Sequence, residues 1–327
     1  MISIKHRNYV RAGGQLLRCI DNHRPGRLIF LIGVGGVGKT TLRRNVLRAI
    51  YGKPAHWQGG MIPCIEVMTL LAENSYFNSR GLAHDCLEQM FVPNIDWLID
   101  DAEARDFHEG GSALSKSREV WAGLSKDVTE IKAWSLFRNN AKARGLKLLS
   151  LEHASAMCIN HRDKSPAQHI MNIMSLTEDI GAMSLMTSIQ NGPKLWEGRS
   201  EIRRRADVIW LAPYDVSIKE DRQCFLRMLK SICERYQFRT ADLPAKLAPE
   251  IAVTTAAVCG EVVNLFDRAA QHASDAGRVE IIKSDIEQAY YPKAELETLW
   301  QDVREFWIAY KSHNPAEVSR LATEIWV

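Results

Sequence analysis

The sequence predicts an α/β chain, a three-layer sandwich of parallel sheet between helices, followed by an all-helical C-terminal region. Three observations predict it. The apolar run LIFL at 28–31 leads directly into GVGGVGKT and then into a segment of helical composition. Further short apolar runs alternate with helical stretches to about residue 215, and strands separated by helices of that length form parallel crossovers. From Ser217 onward the strand signals stop.

Taken in order, residues 1–26 read as a basic helical segment, with Lys5, Arg7, Arg11, Arg18 and Arg24 against the single acid Asp21. Strand, glycine turn and helix follow. MIPCIEVMT (61–69) reads as the second strand, and 79–91 as a helix with Leu82, Cys86, Leu87 and Met90 on one face. A helical pattern from Leu124 to Arg144 carries Val128, Ile131, Trp134, Leu136 and Phe137, and passes through Gly145 into the strand GLKLLSLE. SPAQHIMNIMSLTEDIG (165–181) is a helix with proline in its first turn and Gly181 at its end. AMSLMTSI and ADVIWLAP are two more strands, whereas LRMLKSICERY, IAVTTAAVCGEVVNLFDRAAQHA and KSDIEQAYY are helical. The expected domains are therefore 1–26, 27–215 and 216–327. Near the C-terminus, Trp300, Phe306, Trp307 and Tyr310 recur at helical spacing, a stripe that more commonly packs on a core than fills a partner's groove.

The hydrophobic fraction of 46% and charged fraction of 25% in 327 residues are those of an ordinary globular protein with a sizeable core. No run of about 18 apolar residues is present, and the charged start MISIKHRNYV has no apolar stretch behind it. The expectation is a bacterial cytoplasmic protein without membrane contact. Seven scattered cysteines without a CxxC pair argue against a disulfide framework and a zinc ribbon. Cys158, His161 and His169, with His153 nearby, lack the second ligand pair of a closed site. The net charge of +3 is small but polarised: the basic N-terminus contrasts with residues 94–110, which carry six acids and one arginine. Such polarity belongs either to two solvated faces or to a basic surface that meets DNA or an acidic partner.

GVGGVGKT has the spacing G-x-x-x-x-G-K-[ST] in its required setting, strand before and helix after. Gly33, Val34, Gly35, Gly36, Val37 and Gly38 curl the backbone so that successive N–H groups point at phosphate oxygens, and the following helix adds its positive end. Lys39 reaches the β- and γ-phosphates, the Thr40 hydroxyl ligates Mg²⁺, and Thr41 completes the set. The pattern implies bound ATP with Mg²⁺.

With IRRRADVIWLAPY before and along the last strand, and TTAAVCGEVVNLFDRAAQHASDAGRVEI in the helical region, the chain resembles the AAA+ ATPases. More narrowly, it resembles the transposition regulators TnsC and TniB of Tn-type and CRISPR-associated transposons, with IstB and the replication initiators as relatives. The resemblance implies a P-loop sandwich with a helical lid. It implies an arginine finger at Arg205, with Arg204 next, that acts on a neighbouring subunit's γ-phosphate; a bare basic patch on a helix end is the other reading of this run. The polar residue closing the fourth strand falls among Thr187, Ser188 and Asn191, with Ser188 preferred. Glu261 stands where many relatives carry a nucleotide-sensing arginine.

Relatives close the Walker B strand with Asp then Glu, but KLLSLEHAS closes with Glu152 and His153. In one register Glu152 takes the metal-side place and His153 that of the base; shifted by one, Leu151 replaces the Asp and Glu152 is the base. The first register is preferred, because a carboxylate at the strand tip serves the cation and a leucine does not. It predicts slow ATP hydrolysis, since imidazole replaces the usual base.

The resemblance implies a ring or helical filament on double-stranded DNA that links a target-selection protein (TniQ- or TnsD-like) to a TnsB-like transposase, with phosphate contacts independent of sequence. Candidate contacts are Lys116, Arg118, Lys142, Arg144 and Lys147. The alternatives are a replication initiator or helicase loader, a STAND-type signalling NTPase, and a small-molecule kinase.

Overall fold

The computed structural model describes residues 6–52, 57–69, 71, 76–93, 119–123, 128–159, 165–311, 319–320 and 322–323. Two compact units emerge, one comprising Tyr9–Ile32 and Gly38–Ile209, the other Met1–Asn8, Gly33–Val37 and Trp210–Val327.

The first unit is the α/β sandwich. Its elements are α1 (Arg7–Asp21, from Tyr9 onward), β1 (Leu28–Ile32), α2 (Lys39–Tyr51), β2 (Cys64–Met68), α3 (Ser79–Glu88), α4 (Glu130–Ala143), β3 (Leu148–Glu152), α5 (Pro166–Ile180), β4 (Met183–Ser188), α6 (Ser200–Arg205) and β5 (Ala206–Trp210, to Ile209). The strands form one sheet in the order β2-β3-β4-β1-β5. The pairs β1 with β4, β2 with β3, and β3 with β4 are parallel. Every residue of β1, β3 and β4 is buried, as expected when crossover helices cover both faces.

Local chemistry sets the helix ends. The Asn78 carboxamide oxygen accepts from the N–H groups of Arg80 and Gly81 at 3.0 and 3.2 Å, which caps α3. Proline opens α5, and Gly181 ends it with φ 83°, a left-handed turn that glycine adopts without a Cβ clash. The expected strands all form; β1 runs one residue past the expected LIFL, and the other four are trimmed by two to four residues. The long helix expected from Leu124 starts at Glu130 behind a Thr129 cap; residues 124–127 lie outside the described set.

The second unit is all-helical, with α7 (Lys219–Cys233), α8 (Leu243–Lys246), α9 (Ala248–Thr254), α10 (Cys259–Asp275), α11 (Lys283–Gln288) and α12 (Lys293–Tyr310). Phe225, Met228, Leu229 and Ile232 of α7 and Val262, Leu265, Phe266, Ala269 and Ala273 of α10 recur at three- and four-residue spacing, so each helix buries a single stripe in a common core. Phe266 is central, with the rings of Tyr236 and Phe238 each 5.5 Å away. Arg278 and Asp285 pair at 2.7 Å, and Asp285 also accepts from the Ile282 N–H to cap α11. On α12, Phe306 is buried against Trp210 and stacks on Tyr310, while the Trp300 indole donates to the Val253 carbonyl. Phe306 thus packs internally, while Trp300, Trp307 and Tyr310 are half-buried around it on the same helix. At the N-terminus Arg7 pairs with Asp221 and the Asn8 amide donates to the Ala212 carbonyl. No single helix among the described residues is long and apolar enough to cross a membrane.

Phe266→Ala removes a fully buried ring at the centre of the helical core. Chemical denaturation should show a loss of about 3–5 kcal/mol from that core.

Candidate nucleotide site

By chain, Gly33–Val37 of the glycine turn belongs to the helical unit, and Gly38 with α2 to the α/β unit. In the helical unit, Gly33–Val37 packs by backbone rather than side chain. A Cβ at Gly33 would lie 2.7 Å from the Leu211 carbonyl oxygen, and one at Gly260 would lie 2.4 Å from the Gly36 carbonyl oxygen. The Gly260 N–H donates to that same Gly36 oxygen at 2.8 Å. Gly36 has φ 70°, and Glu261, in the first turn of α10, sets a carboxylate oxygen 3.0 Å from where its Cβ would be. The Tyr291 hydroxyl donates to Glu261. The turn therefore has an acid beside it where relatives were expected to place an arginine.

In the α/β unit, α2 opens at Gly38 in the left-handed region, φ 99°. Helical spacing then puts Thr40, Arg43 and Arg44 on one flank, and Leu42, Val46 and Leu47 into the core. Strand periodicity puts Ser150 and Glu152 on the same face of β3, and Glu66 lies opposite Ser150 in the register of β2. These groups meet. The Thr40 hydroxyl donates to one Glu152 carboxylate oxygen. Arg43, with no solvent exposure, donates to the other at 2.9 Å, to the Ser150 hydroxyl at 3.0 Å, and pairs with Glu66 at 2.8 Å. Arg44 adds a second, half-exposed cation to Glu66 at 2.8 Å. Burial pushes the Glu152 carboxyl up, but Arg43 and the Thr40 hydrogen bond outweigh it and hold the group below its ordinary value, so it is ionised at neutral pH. Burial lowers Lys39 to about 8, only partly opposed by Glu152. Thr41 offers its carbonyl to the Tyr9 hydroxyl at 3.3 Å.

The donor set fits a magnesium nucleotide. Thr40 and Glu152 bring a hydroxyl and an ionised carboxylate to one point, the oxygen ligands that Mg²⁺ takes. At the carboxyl ends of the flanking strands, the Thr69 and Ser188 hydroxyls are buried without a hydrogen-bond partner among the described residues, as is the carboxamide oxygen of Asn191. Buried orphans of this kind are costly unless a ligand or water satisfies them. Ser188 pairs in register with Ile32, the residue before the turn.

The other predicted residues are dispersed. His153 follows Glu152 with φ 55°, exposed, its ring without a hydrogen bond to any described residue. Arg205, at the end of α6, is held by Glu178 at 2.6 Å, whereas Arg204 is exposed and forms no ion pair with a described residue. Lys142, Arg144 and Lys147 cluster at the start of β3, the end opposite Glu152; Lys142 pairs with Asp179 at 2.8 Å and Arg144 contacts the Gly60 carbonyl. Lys116 and Arg118 lie outside the described residues. Sequence reasoning missed Arg43 and Glu66. Their signal was an acid inside the apolar run of β2 and a pair of arginines one helical turn past the P-loop lysine.

No protein-family model matches the sequence, and no curated protein matches it significantly. Solved structures do match. Cdc6p from Pyrobaculum aerophilum aligns with a TM-score of 0.58 at 14% identity, over 88% of this chain and 68% of that one. The Aeropyrum pernix ORC2 protein, solved as ADPNP–ADP complexes, gives 0.53 at 12%, over 89% and 70%. The Drosophila ORC bound to DNA gives 0.50 at 13%, over 99% and 80%. At these identities the likeness is one of fold: the chain shares with the Orc and Cdc6 structures a parallel five-stranded sheet with flanking helices, followed by a helical region.

Proposed function

We propose that this chain is an ATP-binding, slowly hydrolysing AAA+ switch that assembles on double-stranded DNA, of the replication-initiator or helicase-loader type. The observation that carries the nucleotide reading is the meeting of Thr40 and Glu152 one residue past the P-loop lysine. The fold likeness to Orc and Cdc6 structures, one of them bound to DNA, supports the initiator reading. A second reading, a transposition regulator of the TnsC/TniB kind that links a target selector to a transposase, rests on the run Arg203, Arg204 and Arg205 ahead of a strand that closes with Leu211, Pro213 and Tyr214.

In this reading Gly33–Thr41 holds the triphosphate, with backbone N–H groups and Lys39 on its oxygens. Thr40 and Glu152 would hold a magnesium ion, which would supply charge neutralisation to the triphosphate. Ser188 orients the γ-phosphate side of the site with its free hydroxyl. His153 is the group in the base position, and its exposed, unanchored ring accounts for slow turnover. Across an assembly interface, Arg204 and Arg205 act on a neighbour's nucleotide. Arg204 reaches freely, and Arg205 must first exchange Glu178, a surface pair worth about 0–1 kcal/mol. Lys142, Arg144 and Lys147, with Lys116 and Arg118, contact DNA phosphates.

Three outcomes follow. Nucleotide affinity should hold steady below about pH 7 and weaken above about pH 8, by up to about tenfold per pH unit, because the free protein loses the Lys39 proton there and the phosphates favour the charged form. Titrating a fluorescent ATP analogue from pH 6 to 9.5 checks this, and Lys39→Ala should bind weakly with a flat profile. Steady-state turnover with DNA should stay below roughly 1 s⁻¹ and rise about ten- to a hundredfold in His153→Glu; no rise would remove His153 from its role. Electron microscopy with duplex DNA and a non-hydrolysable ATP analogue should show rings or filaments that vanish without nucleotide and dissociate steeply with salt. Particles that stay monomeric under all conditions would refute the assembly reading.

A further inference from the structure

Arg43 has no counterpart in the expected machinery, yet it is the largest fully buried side chain among the described residues. A charge is taken out of water only where partners compensate it. Here the partners are Glu66 and Glu152, the latter being the acid that also meets Thr40. The charges in this cluster are the cations Lys39, Arg43 and Arg44 and the anions Glu66 and Glu152; His153 adds a titratable ring beside Glu152. The carboxylate proposed to hold magnesium is thus already shared with a fixed internal cation, and that cation is itself shared with a second acid.

We propose that Arg43 is a positioning residue that sets the magnesium dependence of nucleotide binding by competing with the metal for the charge of Glu152. The inference rests on the nucleotide reading above. Two opposing effects meet at this contact. Arg43 orients the Glu152 carboxylate with one oxygen toward Thr40, which favours a metal there. Its positive charge, fixed on the other oxygen, repels a divalent ion in a poorly screened interior. Orientation fixes only one flexible carboxylate, whereas a unit charge held on that carboxylate opposes the doubled charge of any cation it takes, so repulsion is the larger effect. Glu66 tunes the balance, because the more it neutralises Arg43, the more of Glu152 is left for the metal. The protein therefore holds nucleotide with little help from Mg²⁺, retaining it when the metal exchanges.

Removing Arg43 or Glu66 then has effects of opposite sign, which a purely structural ion pair would not produce. The measurement is the affinity of full-length protein for a fluorescent non-hydrolysable ATP analogue, in Mg²⁺ and in EDTA, with circular dichroism to verify that each variant is folded. Wild type should show a Mg²⁺ enhancement below about tenfold. Glu66→Gln leaves Arg43 to Glu152 alone and should reduce that enhancement to near one. The double variant Arg43→Met with Glu66→Gln removes the competing cation without leaving Glu66 as an unpaired charge, and should raise the enhancement at least tenfold above wild type. Arg43→Lys keeps the charge and should keep the wild-type ratio, even if it lowers stability. An enhancement that falls in the double variant, or is unchanged across the series while nucleotide still binds, overturns the role of Arg43. Loss of nucleotide binding by wild type with and without Mg²⁺ overturns the nucleotide reading itself, and the inference with it. Should the double variant be unfolded, the Glu66→Gln and Arg43→Lys ratios decide alone, and an enhancement in Glu66→Gln equal to or above wild type overturns the proposal.

Discussion

The buried guanidinium of Arg43 ties α2 to β2 and β3, the two strands at the β2 edge of the sheet. Parallel strands covered on both faces are ordinarily apolar throughout, and β1 follows that rule. β2 and β3 break it with Glu66, Ser150 and Glu152 on one face, and each of the three is satisfied by the same side chain. Without it, Glu152 would keep the Thr40 hydroxyl but lose its counter-charge, and Glu66 would be left to the half-exposed Arg44 alone. Lys39 and Thr40 are placed by the same helical turn that seats Arg43.

The same turn fixes the glutamate at the tip of β3. A longer side chain than aspartate has one more torsion to fix, and here both of its oxygens are engaged, one by Thr40 and one by Arg43. The carboxylate stays ionised despite burial. The cost falls on the next position. The chain leaves β3 through His153 at φ 55° and enters a 3₁₀ turn at Ala154–Cys158, which turns the histidine out toward solvent. An imidazole tolerates the left-handed region better than most side chains, and its exposure leaves it unanchored.

In the helical unit the constraint is one of space. Gly36 and Gly260 meet backbone to backbone, closer than any side chain would allow, and the contact sets the first turn of α10 and with it Glu261 against the glycine turn. The same unit owes its own stability to the apolar stripes of α7 and α10 and to the aromatic cluster around Phe266.

The strand and helix order, the glycine turn between β1 and α2 and the helical C-terminal region were legible in the amino-acid sequence, because each follows from short-range rules: periods of 2 and 3.6, glycine and proline stops, and one motif whose spacing and setting agree. Thr40 and Glu152 were legible for the same reason, lying on adjoining segments of known pattern. Arg43 and Glu66 were not, since a charged residue in a helix or strand normally implies an exposed face and nothing local signals that two such faces turn toward each other. Only the strand order, which places β2 beside β3 and beneath α2, makes a buried ion cluster of them. Likewise the restraint of Arg205 by Glu178, the exposure of Arg204 and the internal packing of Phe306 depend on contacts between residues distant in sequence, where pattern carries no information and the folded geometry decides.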